Sequence, residues 1–153
     1  MPATQLHLIR WVDPAGAAEE DARHPDWIWL PILGPSAMLL LLRLQALLQV
    51  DPKPQLIDLH VMSQTLGLGT CDSKHAPIFR AMSRLVHFGL AKRMAAGQLA
   101  VRCRVADPSP HQLSGLTLPL QSAYRDVLLR RERAGDRDLP ASGPSPRADP
   151  TIG

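Results

Sequence analysis

Apolar and polar positions fall into a clear succession of patterns along the chain. QLHLIRW (residues 5–11) alternates enough for a short strand, and AGAAEEDARH (15–24) reads as an acidic loop. Residues 1–26 are therefore expected to form a weakly structured leader. WIWLPILGP (27–35) leads into AMLLLLRLQALLQV (37–50), a near-continuous apolar run. Gly34 can act as N-cap with Pro35 at the first helical position, where its missing N–H costs nothing. This first helix should run to about Gln49 and stop at VDPKP (50–54). Apolar residues cover most of its circumference, which predicts a central helix or one at a dimer interface.

QLIDL (55–59) is a short extended piece. Asp58 is a suitable N-cap for a helix over Leu59–Leu66, with Gly67 just past its end. LGTCDSKH (68–75) is a polar connection. Pro77 fits the first turn of the next helix, which runs to Phe88 and stops at Gly89. The period then changes to two. LAKRM (90–94) and LAVRCRV (99–105), joined by AAGQ, predict a β-hairpin. In its second strand Leu99, Val101, Cys103 and Val105 share the inward face, with Arg102 and Arg104 on the other. DPSP (107–110) breaks the pattern, and a last helix is expected over Pro119–Arg133. The end of the chain, 134–153, is rich in Pro, Gly, Ser and Asp; it lacks the apolar content to offset ordering entropy and is expected to be disordered. The expected fold class is mainly α with a small β-hairpin, in one domain over 27–133.

Composition narrows the picture. The chain has 153 residues, 45% hydrophobic and 20% charged, which suits one core. Only 4% are aromatic, so that core must be Leu, Val, Ile, Met and Ala. Trp27 and Trp29 are expected to cover an edge of it. A bilayer span needs about 20 apolar residues. The run at 37–50 is shorter and is interrupted by Arg43, so a core helix is expected and no membrane partner. With no basic start followed by an apolar run, the expected setting is cytoplasmic, with Cys71 and Cys103 as free thiols.

Charge is unevenly placed. Residues 71–104 carry Lys74, Arg80, Arg84, Lys92, Arg93, Arg102 and Arg104 against only Asp72. That local charge of +6 leaves −3 for the rest of a chain whose total is +3. Projecting residues 73–89 at 100° per residue puts Ile78, Phe79, Met82, Leu85, Val86 and Gly89 on one side. Ser73, Ala76, Arg80, Ser83, Arg84 and His87 fall on the other. The second face is cationic and offers groups suited to phosphates and base edges.

The segments VMSQTLGLG, HAPIFRAMSRLVHFGLAKR and GQLAVRCRV together resemble winged helix-turn-helix transcriptional regulators of bacteria, over about residues 34–105. The resemblance implies that the helix at 59–66 supports and the helix at 75–88 enters the DNA major groove. The hairpin would then lie as a wing along the backbone or minor groove. Arg80, Ser83, Arg84 and His87 would face the groove, and Lys92, Arg93, Arg102 and Arg104 would contact phosphates. The connection between the two helices is longer than the short turn of a compact helix-turn-helix, and under this resemblance it would bring Lys74 and His75 near the DNA. The function so implied is sequence-specific binding of double-stranded DNA in regulating transcription. Two alternatives use the same module: an adaptor docking on RNA polymerase or another regulator, and a plasmid or phage replication protein.

The last helix carries Leu120, Ala123, Tyr124, Val127 and Leu128 at helical spacing. It is expected to form a homodimer together with the first helix, and Arg130, Arg131 and Arg133 at its end are either further phosphate contacts or solvated residues near a helix C-terminus. No enzyme is expected, because GxSxG, P-loop, GxGxxG and HExxH are all missing from the sequence. Cys71, Asp72 and His75 do not make a four-ligand set, so no metal or cofactor is expected. His60 reads as a surface or capping residue. A redox role for Cys71, near Lys74, stays open.

Overall fold

The alternation at the start of the chain is realised as strand β1, Gln5–Arg10, with Leu6 and Leu8 buried and Gln5 and His7 exposed. The computed structural model describes residues 4–12, 26–105 and 108–137. The acidic loop expected at 15–24 and the tail from residue 138 lie outside these. After β1 come helices α1 (Asp26–Leu33) and α2 (Pro35–Val50), strand β2 (Gln55–Asp58), helices α3 (Leu59–Thr65) and α4 (Pro77–His87), strands β3 (Ala91–Arg93) and β4 (Gln98–Val101), and helices α5 (Pro110–Ser114) and α6 (Leu118–Arg137).

The four strands form one sheet in the order β2-β1-β4-β3. β1 pairs antiparallel with β2, Leu6 opposite Ile57, and parallel with β4, Leu8 opposite Leu99. The fold is therefore mixed α/β, with six helices and a small four-stranded sheet among the described residues; the expected hairpin, β3 and β4, is present as part of that sheet. The expected leader is corrected over Gln5–Arg10, which is a central strand. Period-two burial explains this: Leu6, Leu8, Ile57, Leu99 and Val101 turn one sheet face into the core.

Local punctuation sets the helix limits. Gly34, at φ 83°, is the N-cap of α2, and Pro35 occupies its first turn. Ala37, Met38, Leu40, Leu41, Leu44 and Leu48 of α2 are buried. The Gln55 side chain donates to the carbonyls of Leu47 and Asp51 at the C-terminal end of α2. The Asp58 carboxylate accepts from the N–H groups of His60 and Val61, as expected of an N-cap. α4 ends in a Schellman pair: Leu90 N–H donates to Leu85 O and Gly89 N–H to Val86 O, with Gly89 at φ 75°.

Two helices were not anticipated. α1 contains Pro31 in an apolar run without helical periodicity, and its Trp29 is fully in the core at 4% exposure rather than at an edge. The Trp27 side chain lies outside the described residues. α5 starts where DPSP reads as a breaker: Ser109 and Gln112 form a capping box, and Pro110 takes the first position.

The chain divides into two compact units, Met1–Leu116 and Thr117–Gly153, so the expected domain over 27–133 is split. In the second unit, α6 begins one residue before Pro119, whose place in the first turn needs no N–H partner. No described helix is long and apolar enough to cross a membrane.

Candidate nucleic-acid interface

α4 is divided as its periodicity predicts. Ile78, Ala81, Met82 and Leu85 are buried, whereas Arg80, Ser83, Arg84 and His87 are exposed. Ala76, projected onto the polar side, is instead buried as the N-cap of the helix. The exposed residues are not equivalent. Arg84 donates from Nε to Leu33 O at 2.6 Å and from Nη2 to Ile32 O at 2.8 Å. Its guanidinium thus closes the last carbonyls of α1, an interaction favoured by charge at a helix C-terminus. It also lies 5.7 Å from the centre of the Phe88 ring. The Arg80 side chain, one turn earlier, makes no hydrogen bond or ion pair among the described residues. Arg80 and Arg84 line one cleft with Ser36, Pro35 and Pro77, where α1 meets α2.

The hairpin cations separate into two groups. Arg93 Nη2 lies 3.3 Å from Ser83 Oγ, which joins β3 to the outer face of α4. Lys92 is the next residue of a strand and so points to the opposite sheet face. Its Nζ lies 6.0 Å from the Trp11 ring centre. Arg102 stacks on the same ring at 3.8 Å and donates from Nε to Gly89 O. This is close cation–π geometry. β4 ends at Val101, so the expected alternation through Cys103 and Val105 does not continue. Arg102 is half-buried, Arg104 is exposed beyond the strand, and Cys103 is half-buried rather than inward-facing. The four expected phosphate contacts therefore divide: Arg93 lies beside Ser83 of α4, Lys92 and Arg102 lie at Trp11, and Arg104 lies beyond the end of β4.

Lys74 and His75 are exposed on the connection between α3 and α4, with His75 N–H donating to Ser73 Oγ. His87 lies edge-on to Phe88, with ring centres 5.0 Å apart, and lines a second cleft. Trp11 is the residue the sequence did not single out. Its signal is an aromatic at the end of an alternating segment, but the pairing of β1 with β4 that carries it to Arg102 is not local.

Cys71 is buried at 1% exposure, with Sγ 3.5 Å from His60 Nδ1. Burial removes the solvent access on which a redox role would depend. It also moves His60 from the surface role expected of it to a half-buried neighbour of the thiol. No cluster of three metal-ligating side chains occurs among the described residues.

In comparison with known proteins, no family model, no curated protein and no solved structure matches the chain.

Proposed function

We propose that the protein binds double-stranded DNA through the outer face of α4, and that this binding regulates transcription. One observation carries the reading: residues 73–105 contain no acidic residue, and their exposed cations sit on one helix, on the connection before it and on the hairpin segment after it. A polyanion gains from such a surface by releasing condensed counterions. In this reading the module is a winged helix-turn-helix: α3 supports, α4 enters the major groove, and β3 and β4 form the wing.

The roles can be distributed by what each side chain already touches. Arg80 and Ser83 face base edges, and Arg can hold guanine through two hydrogen bonds. Arg93, Lys74 and His75 contact phosphates on the α4 side. Lys92 and Arg102, gathered at Trp11, serve the other side of the wing. Arg84 positions α4 against α1 rather than reading a base. One feature of the pairing departs from a simple wing: β1 stands between β2 and β4, so the strand before α3 does not touch the hairpin.

The test is selection from a random pool of duplex DNA followed by affinity measurement against salt. The reading expects an enriched sequence and a log K that falls with log salt by about 0.9 per phosphate neutralised. Recovery of unenriched DNA with no salt dependence would overturn it. A second reading has its own support: Leu39, Leu42 and Val50 are exposed on α2. They favour a protein partner there, either the expected second copy or, for an adaptor, RNA polymerase or another regulator. Sedimentation of the wild type and of Leu39→Gln/Leu42→Gln separates self-association from a monomer.

A further inference from the structure

We infer that the cleft between the end of α1, the end of α4 and α5 binds a small, flat organic anion. The cleft has a volume of about 570 Å³ and is lined by Pro31, Ile32, His87, Phe88, Ser109, His111, Gln112, Gly115 and Leu116. That lies within the roughly 300–1,000 Å³ of small-molecule sites. Its apolar side comes from Pro31, Ile32, Leu116 and the Phe88 ring, which suits a planar hydrocarbon body.

The polar side is biased toward donors by the capping box of α5. The Gln112 side-chain oxygen accepts from Ser109 N–H at 2.8 Å, and Ser109 Oγ accepts from Gln112 N–H at 3.2 Å. Those two bonds engage the amide oxygen of Gln112 and one lone pair of the Ser109 hydroxyl. What remains to meet a ligand is chiefly the amide NH₂ of Gln112 and the O–H of Ser109, both donors. The imidazoles of His87 and His111 add an N–H each. No carboxylate among the described residues lines the cleft. Arg84, 5.7 Å from the Phe88 ring centre, adds positive potential beside it. A donor-rich rim over an apolar, partly aromatic wall fits a ligand that is acceptor-rich at one end, such as an aromatic carboxylate. An ammonium finds no carboxylate to pair with among the described residues of the cleft, only an imidazole nitrogen or a hydroxyl lone pair as acceptor.

The site borders the proposed reading helix. His87 and Phe88 lie at the end of α4, and Ile32, on the cleft wall, is one of the two residues whose carbonyl Arg84 holds. Regulation of DNA binding by the ligand rests on the DNA reading; binding of the ligand does not. The experiment titrates the full chain with benzoate, and with benzylamine and benzyl alcohol as probes of charge, by calorimetry and by NMR of the histidine rings. The expected result is saturable binding of benzoate, at least tenfold tighter than of either other probe. His111→Ala should weaken it about tenfold and His111→Asp should abolish it, with the melting temperature of both variants unchanged. Equal binding of the three probes, no saturation by benzoate, or benzoate binding indifferent to both substitutions would overturn the inference. DNA affinity measured with and without benzoate then reads the regulatory link alone, so a protein that binds benzoate but not DNA would fail only the DNA reading.

Discussion

α2 and α4 pack against one another yet present opposite kinds of surface. α2 buries six residues and still exposes Leu39, Leu42 and Val50, because its sequence is apolar nearly all round. α4 exposes no large hydrophobic side chain; the line between its buried and cationic faces is sharp. The contrast separates two demands on a helix. α2 is shaped by burial, and its outer face is incidental to the core or kept for another protein. The outer face of α4 instead carries hydrogen-bonding groups, Arg80, Ser83, Arg84 and His87. Within that face the Arg84 guanidinium is held by the carbonyls of α1, whereas Arg80, one helical turn away, is exposed with no side-chain hydrogen bond among the described residues.

Substitutions can break this contrast, beginning with the largest effect. Leu44→Ala on α2, 1% exposed, should lower stability by about 3 kcal/mol through lost burial and a residual cavity. Chemical denaturation measures it; a loss under about 1 kcal/mol would mean that α2 is not the core helix. Arg84→Ala should cost about 1–2 kcal/mol, because it strips two charge-assisted hydrogen bonds from the end of α1 while the side chain is partly solvated. Arg84→Lys should recover only part of this, since an ammonium cannot reproduce the two-pronged contact. Gly89→Ala should cost roughly 1–2 kcal/mol from backbone strain at φ 75°, because a Cβ there meets no atom within 4 Å. Thermal melting of that variant distinguishes strain from crowding: Gly89→Asn should lose less than Gly89→Ala. Arg80→Ala should change stability by less than about 0.5 kcal/mol, as a surface residue without partners among the described residues. A larger loss would make Arg80 a second Arg84.

How much of this could be read from the sequence follows the range of each interaction. Gly34 with Pro35, Asp58, Gly67 and Gly89 mark helix limits because capping is decided within a few residues. The outer face of α4 was legible for the same reason, as one periodicity over a single helix. The place of β1 was not. Its alternation suggests a strand, but only pairing with β4, far along the chain, makes it the middle of a sheet. α1 was hidden by Pro31 and by a run with no polar face, and α5 by reading Pro110 as a breaker instead of a first-turn residue. The role of Arg84 followed α1 into obscurity, since its acceptors are the carbonyls of a helix that was not anticipated. The meeting of Lys92 and Arg102 at one ring was not legible either, because Trp11, which gathers them, follows β1 from the far end of the chain.

The most direct test of the account is duplex affinity of Arg80→Ala beside the wild type, using a sequence enriched from a random pool and fluorescence anisotropy over a decade of salt concentration. The account predicts that binding weakens by about 1–3 kcal/mol, with discrimination against altered sites relaxed and the melting temperature unchanged. Undiminished affinity and discrimination in a folded Arg80→Ala protein would contradict the assignment of α4 as the helix that reads DNA.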